Sequence, residues 1–182
     1  MNHTALNRPA ILFSTFLLTF FTLQWVRAQD TQAATDNCNC CTDLHRAFDF
    51  WIGDWEVTGP TGSPAGTNRI ERIQGGCVLQ EHWVGAGGAN TGTSLNFYNA
   101  RMGVWEQLWV DNTGSALKLS GGPEGGRMVM SSEPFRDTAG NERVHRITWT
   151  PREDGTVRQH WEVLQDGKTV QTLFDGVYRR KQ

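Results

Sequence analysis

Glu81 and Trp83 stand two residues apart in QEHWV, Gln107 lies between Trp105 and Trp109 in VWEQLWV, Asn96 sits in SLNFYN, and Trp161 follows Gln159 by two in RQHWEV. Residues two apart on an extended chain share a face, so three of these segments set an aromatic wall beside a polar group. A carboxylate and two amides turned inward must bond to one another, to water or to a bound molecule, because a buried polar group without a partner is costly. Two kinds of chemistry are open to such a set. Glu81, Asn96 and Gln107 can orient a small molecule whose apolar body lies against Trp83, Trp109 and Trp161. Alternatively, Glu81, with its carboxyl raised by burial, can act as general base in a cofactor-free isomerase or hydrolase. If a bulge turned the three polar residues outward they would be solvated, and the tryptophans would be packing alone.

No other catalytic pattern competes. His45, His82, His145 and His160 lie on separate segments without H-x-H or H-x-x-x-H spacing, so no metal site is expected. There is no G-x-S-x-G, phosphate loop or dinucleotide fingerprint, and no cofactor is expected. The glycine-rich GGPEGG of residues 121–126 precedes no helix and reads as a hairpin loop.

The cysteines occur as Cys38, Cys40 and Cys41 in CNCC and Cys77 at the head of an apolar run. An even count in an exported chain favours disulfides. A Cys40–Cys41 bridge would need a vicinal ring, so the expected bridge joins Cys77 to one of the leading three, closing a loop of roughly 36 residues. A thiolate metal site is the competing reading of C-x-C-C.

The elements that must position these groups are strands. Turn signals recur at PTGSPAG (60–66), GAGGANTG (85–92), NARMG (99–103), DNTG (111–114), DTAGN (137–141), EDG (153–155) and QDG (165–167). Asp154-Gly155 and Asp166-Gly167 suit tight hairpins, since glycine accepts their positive φ. Between the turns lie runs rich in Val, Ile, Thr, Trp and Tyr, many alternating with period two. Trp105, Gln107, Trp109 and Asp111 share one face, and Val157, Gln159, Trp161 and Val163 share another. The pattern predicts an all-β, antiparallel up-and-down barrel of roughly 8–10 strands, closed so that no edge is exposed. Helix is expected only around Asp43 to Phe48, as a lid or plug.

FDFWIGDWEV, residues 48–57, packs four aromatic rings around Gly53. Phe50, Gly53 and Trp55 form F-x-x-G-x-W ahead of the first strand, and the last strand ends in FDGVYRR. This pairing resembles the calycin superfamily of lipocalins and fatty-acid-binding proteins. The resemblance implies that Gly53 and Trp55 close the barrel floor and that Arg179 or Arg180 stacks on the indole. Glycine permits the bend there and a guanidinium over the ring adds roughly 0.5–2 kcal/mol. I-x-x-I-x-x-G-C-x-L-x-E-x-W (70–83) and W-x-Q-x-W-V-D resemble an uncharacterised group of exported bacterial lipocalin-like proteins. The chain departs from lipocalins in showing no C-terminal helix, and from fatty-acid binders in lacking their arginine and tyrosine clamp. Trp51, ahead of the glycine, is expected to be partly exposed. The remaining tryptophans divide between core packing and cavity wall.

Residues 11–26 are apolar and Val26-Arg27-Ala28 fits a signal-peptidase site, so residues 1–28 read as a cleaved signal peptide. Cleavage removes Arg8 and Arg27 but no acid, so the 17 basic and 19 acidic side chains of the full chain become 15 and 19, a net charge near −4. No basic cluster points to nucleic acid. Residues 29–43 read as a flexible leader carrying cysteines, and 44–182 as a single calycin-like barrel domain. The expected protein is secreted or periplasmic, without stable membrane insertion after cleavage. It binds a small hydrophobic or aromatic ligand. The rivals are the Glu81 enzyme and a solid structural or protein-interaction barrel of the cell envelope.

Overall fold

The computed structural model describes residues 38–182. The expected signal peptide and residues 29–37 of the leader lie outside the described residues. The chain begins with the helical turn α1 (Asp43–Arg46) and a 3-10 turn over Asp49–Trp51. It continues through β1 (Gly53–Thr58), β2 (Pro64–Ile73), β3 (Val78–Gly85), β4 (Thr91–Asn99), β5 (Val104–Asp111) and β6 (Ala116–Glu124). After β7 (Arg127–Ser131) come the short β8 (Phe135–Arg136), then β9 (Glu142–Pro151), β10 (Val157–Gln165) and β11 (Lys168–Arg180).

Each strand pairs antiparallel with its neighbour, β7 passes to β9, and β11 pairs with both β10 and β1, so ten strands close into an up-and-down barrel. The two-residue β8 lies beside β9 outside that ring. Closure satisfies every strand edge within the ring, which β-rich sequences of this kind otherwise expose. Asp166 and Gly167 turn the β10–β11 hairpin with φ of 50° and 73°, the left-handed pair such a turn demands.

Two expected loops are shorter than the turn signals suggested. Pro64 to Gly66 already belong to β2, and Gly121 to Glu124 extend β6, leaving Gly125 and Gly126 to make the turn of GGPEGG. The expected alternation of β10 also breaks. Glu162, Val163 and Leu164 are buried in succession although β10 keeps unbroken register with β9; the shifts against β11 at Trp161/Glu162 and Val163/Leu164 leave Leu173 and Val170 of β11 as the extra, unpaired residues. Glu162 is compensated there by Arg146 at 3.1 Å.

Inward-facing side chains form layers. At one end, Phe48, Trp51, Trp55, Trp105, Trp149 and Tyr178 are buried together with Met128 and Met130. This end is plugged by the chain before β1: Phe48 stacks on Trp51 at 4.9 Å, and the Trp105 indole N–H donates to the Leu44 carbonyl at 2.9 Å. Trp51 is wholly buried, contrary to the sequence expectation, because the 3-10 turn swings it under the barrel instead of leaving it on a strand face.

The leading cysteines are all paired. Cys40 bridges Cys77, fastening the plug to the head of β3, and Cys38 bridges Cys41. The second bridge was not anticipated. Cysteines bonded in this way belong to an oxidising, non-cytoplasmic setting. Among the described residues no helix is long and apolar enough to cross a membrane, which says nothing of strands.

Candidate functional site

Trp55 and Arg180 close the floor. The Arg180 guanidinium lies 4.5 Å over the Trp55 ring and donates to the Ile52 carbonyl at 3.1 Å, while the Trp55 indole N–H donates to the Trp51 carbonyl at 2.8 Å. Gly53 sits at φ +143°, and a Cβ there would collide with that guanidinium, so the position requires glycine. Arg179 pairs opposite Glu56 and is exposed; the stacking arginine is Arg180.

Above the floor runs a belt of polar side chains. Glu81 accepts at Oε1 from the Asn68 amide and at Oε2 from the Ser94 hydroxyl, both at 2.6 Å. The Asn96 amide donates to Ser94 Oγ at 2.8 Å and to the Leu79 carbonyl at 3.2 Å, and Gln107 Nε2 donates to Asn96 Oδ1 at 2.6 Å. On the other side, Asn68 Nδ2 reaches the Tyr178 hydroxyl at 3.4 Å, which in turn donates to Gln159. Six strands, β2 to β5 with β10 and β11, thus contribute to one chain of bonds centred on Glu81. The bonds exist because register places Ile70 opposite Glu81, Glu81 opposite Ser94 and Asn96 opposite Gln107, all on inward positions.

Burial raises the Glu81 carboxyl to about 7, against the opposing hydrogen bonds from Ser94 and Asn68. Burial, and next the charge of Glu81, lift the Tyr178 phenol well above its usual value of 10, so it stays neutral. Folding therefore favours the protonated form of Glu81. The stability this confers is fully present below the ordinary carboxyl range and is lost as pH rises through about 7. A shift from 4.5 to about 7 corresponds to a loss on the order of 3 kcal/mol between pH 4.5 and 8. Glu81→Gln should lack that decline. His145, lowered by burial, contributes with the opposite sign in part of the same window, so the informative quantity is wild type minus variant, measured by urea unfolding across pH. Parallel profiles for the two proteins would refute the buried-carboxyl account.

Beyond the belt, toward the end opposite the floor, the interior opens into a cavity of about 480 Å³. Trp83, Trp109, Trp161 and Phe174 form its walls, Glu81, Gln107, Gln159 and Tyr178 its inner end, and Asn90 and Asp111 lie near the loops. Ten strands enclose more space than an eight-stranded barrel, whose interior side chains nearly fill. The walls are seated by glycines, two of them on neighbouring strands and one on the ring's own strand. The Trp83 ring lies over Gly66, Trp109 over Gly92 and Phe174 two residues from its own Gly176, and a Cβ at any of the three would strike the ring. Trp83 and Phe174 meet edge to face at 5.9 Å, and the Trp161 indole N–H donates to His145 Nδ1 at 3.0 Å.

Of the six residues expected to face one cavity, Glu81, Trp83, Gln107, Trp109 and Trp161 line it. Asn96 is wholly buried one layer behind, bonded to Gln107 and Ser94. Sequence reasoning missed Asn68, Ser94, Gln159 and Tyr178 as members of the belt. Ser94 and Asn68 carried a usable signal, since each shares parity with inward neighbours, Asn96 and Ile70. Among the described residues no group of three His, Cys, Asp or Glu side chains could hold a metal ion.

Compared with known proteins, the chain matches no family model and no curated protein.

Proposed function

We propose that this barrel is an exported carrier or receptor for a small, partly apolar molecule, related in architecture to the calycins. The observation that carries this reading is the cavity of about 480 Å³, walled by three tryptophans and a phenylalanine and ended by a hydrogen-bonded carboxyl. That combination of size, aromatic lining and few polar groups is what small-molecule sites use. The Gly53, Trp55 and Arg180 closure supports the calycin relation, the paired cysteines support export, and the open space speaks against a barrel filled solid by tryptophan.

N-phenyl-1-naphthylamine, an uncharged aromatic probe, should bind with energy transfer from the wall tryptophans. Ala65 also lines the cavity, so Ala65→Trp should weaken the probe at least about tenfold, or 1.4 kcal/mol. Equal binding by both proteins would place the probe elsewhere and remove the support for this site.

A second reading has its own observation. A carboxyl held near 7 beside an open cavity is poised as a general base. Turnover of a screened ester or enone by wild type, abolished in Glu81→Gln with probe binding retained, would make the barrel an enzyme.

A further inference from the structure

We propose that the cavity takes a protonated primary or secondary amine on an apolar, aromatic body, with the ammonium group set against Glu81 and the body between Trp83, Trp109 and Trp161. This deepens the ligand-binding reading of the same cavity and rests on it.

Charge comes first. Among the described residues, the ionisable side chains lining the space are Glu81 at its inner end, Asp111 toward the loops and the phenol of Tyr178, with no lysine, arginine or histidine. Of the arginines on neighbouring strands, Arg158 is paired with Asp175 at 2.7 Å and Arg146 with Glu162 at 3.1 Å. A ligand carboxylate entering this space would meet a carboxyl in a medium of low polarity, where like charges repel strongly and the ionised form of either is costly. An ammonium reverses both effects.

Hydrogen-bonding capacity points the same way. Each oxygen of Glu81 accepts a single side-chain bond, from Asn68 or from Ser94, and keeps a further lone pair. Gln107 commits its amide nitrogen to Asn96 and leaves Oε1 without a partner among the described residues. The Tyr178 proton is already given to Gln159. The unfilled capacity around Glu81 is that of acceptors, which calls for a ligand with more than one N–H.

The walls complete the match. Indole faces are negative, so walls of this kind stack on an aromatic body and favour a cation at its end over an anion. A cavity of about 480 Å³ accommodates a fused ring system with a short amine arm.

Binding of the cation favours the ionised form of Glu81. The groups facing that carboxyl are Asn68 from β2, Ser94 from β4 and Tyr178 from β11, and the phenol, held neutral, is the titratable one among them. Below pH 7 binding therefore releases a proton, and affinity falls as pH is lowered.

The test is calorimetric titration of the mature protein with three probes of one shape: tryptamine, 3-ethylindole and indole-3-propionate. At pH 8 tryptamine should bind at least about tenfold more tightly than either of the others. At pH 6 its affinity should fall, with proton release visible as a dependence of the heat on buffer ionisation. Glu81→Gln should lose the preference for tryptamine while keeping 3-ethylindole. The wild-type comparison stands alone should that variant fail to fold. Binding of indole-3-propionate as tight as tryptamine, or an unchanged preference in a folded Glu81→Gln, would overturn the assignment. If none of the three binds while N-phenyl-1-naphthylamine does, the amine assignment fails and the ligand-binding reading survives. If that probe also fails, both fall together.

Discussion

Trp51→Ala is expected to cost roughly 3–5 kcal/mol, as truncations of fully buried aromatics do. The indole has no solvent exposure and contacts one ring of its own segment and two from distant strands: Phe48 at 4.9 Å, Trp149 at 5.5 Å and Tyr178 at 6.3 Å. These belong to the plug, β9 and β11, so the void would open where the chain entering the barrel meets strands distant in sequence. Its neighbours cannot all close over such a void, because each is itself held between others. Trp55→Ala belongs in the same range, since it removes an equally buried ring, its N–H bond to the Trp51 carbonyl and the face under Arg180. The two losses should be comparable in urea unfolding, with m-values close to wild type. A loss at Trp51 under about 1 kcal/mol would show that the plug is not part of the cooperative unit.

Removing the Cys40–Cys77 bridge by paired serine substitution should cost about 4 kcal/mol, the chain-entropy value for a loop of 37 residues. Removing Cys38–Cys41, separated by three residues in an exposed segment, should cost no more than about 2 kcal/mol. The asymmetry follows from what each bridge restrains. Cys40 is buried and ties the plug, with Phe48 and Trp51 just beyond it, to the start of β3, whereas the shorter ring constrains only its own residues. Equal losses from the two pairs in urea unfolding, or a negligible one from Cys40 and Cys77, would contradict the role assigned to the longer bridge.

Much of the barrel was legible because its signals are local. Asp166-Gly167 dictates its own turn, and the alternation of Trp105, Gln107 and Trp109 fixes one inward face without knowledge of any partner strand. Once β5 is placed, Gln107 must point in, and the same parity argument turns Glu81 and Asn96 inward. The stacking of Trp55 with Arg179 or Arg180 was implied by the resemblance of the two chain ends to calycins, and the choice of Arg180 comes from the folded barrel.

What escaped depended on contacts between strands or on departures from strand geometry. Trp51 sits on a 3-10 turn, where period-two reasoning has no purchase. Glu162 is buried among Arg146 of β9 and Thr169 of β11, partners that only cross-strand register brings to it. Asn68, Ser94 and Gln159 share parity with inward neighbours, but only cross-strand pairing shows that they gather with Tyr178 around Glu81. The glycines beneath Trp83 and Trp109 likewise acquire meaning only from register, since each lies on a different strand from the ring it seats. The choice of Cys40 over Cys38 or Cys41 as partner of Cys77 turns on where the plug settles, which the spacing of CNCC does not encode.

The claim on which the rest depends is that small molecules enter the end of the barrel opposite the plug and meet Trp83, Trp109 and Trp161. The indole N–H resonances of the seven tryptophans outside residues 1–28 report on this residue by residue in a proton–nitrogen correlation spectrum. On adding N-phenyl-1-naphthylamine or tryptamine, the signals of Trp83, Trp109 and Trp161 should move together with one apparent affinity. Those of Trp51, Trp55, Trp105 and Trp149, packed into the floor, should stay in place. Movement confined to the floor set, or shifts only among amides on the outer face of the barrel with all seven indoles unmoved, would contradict a ligand-binding cavity at this site.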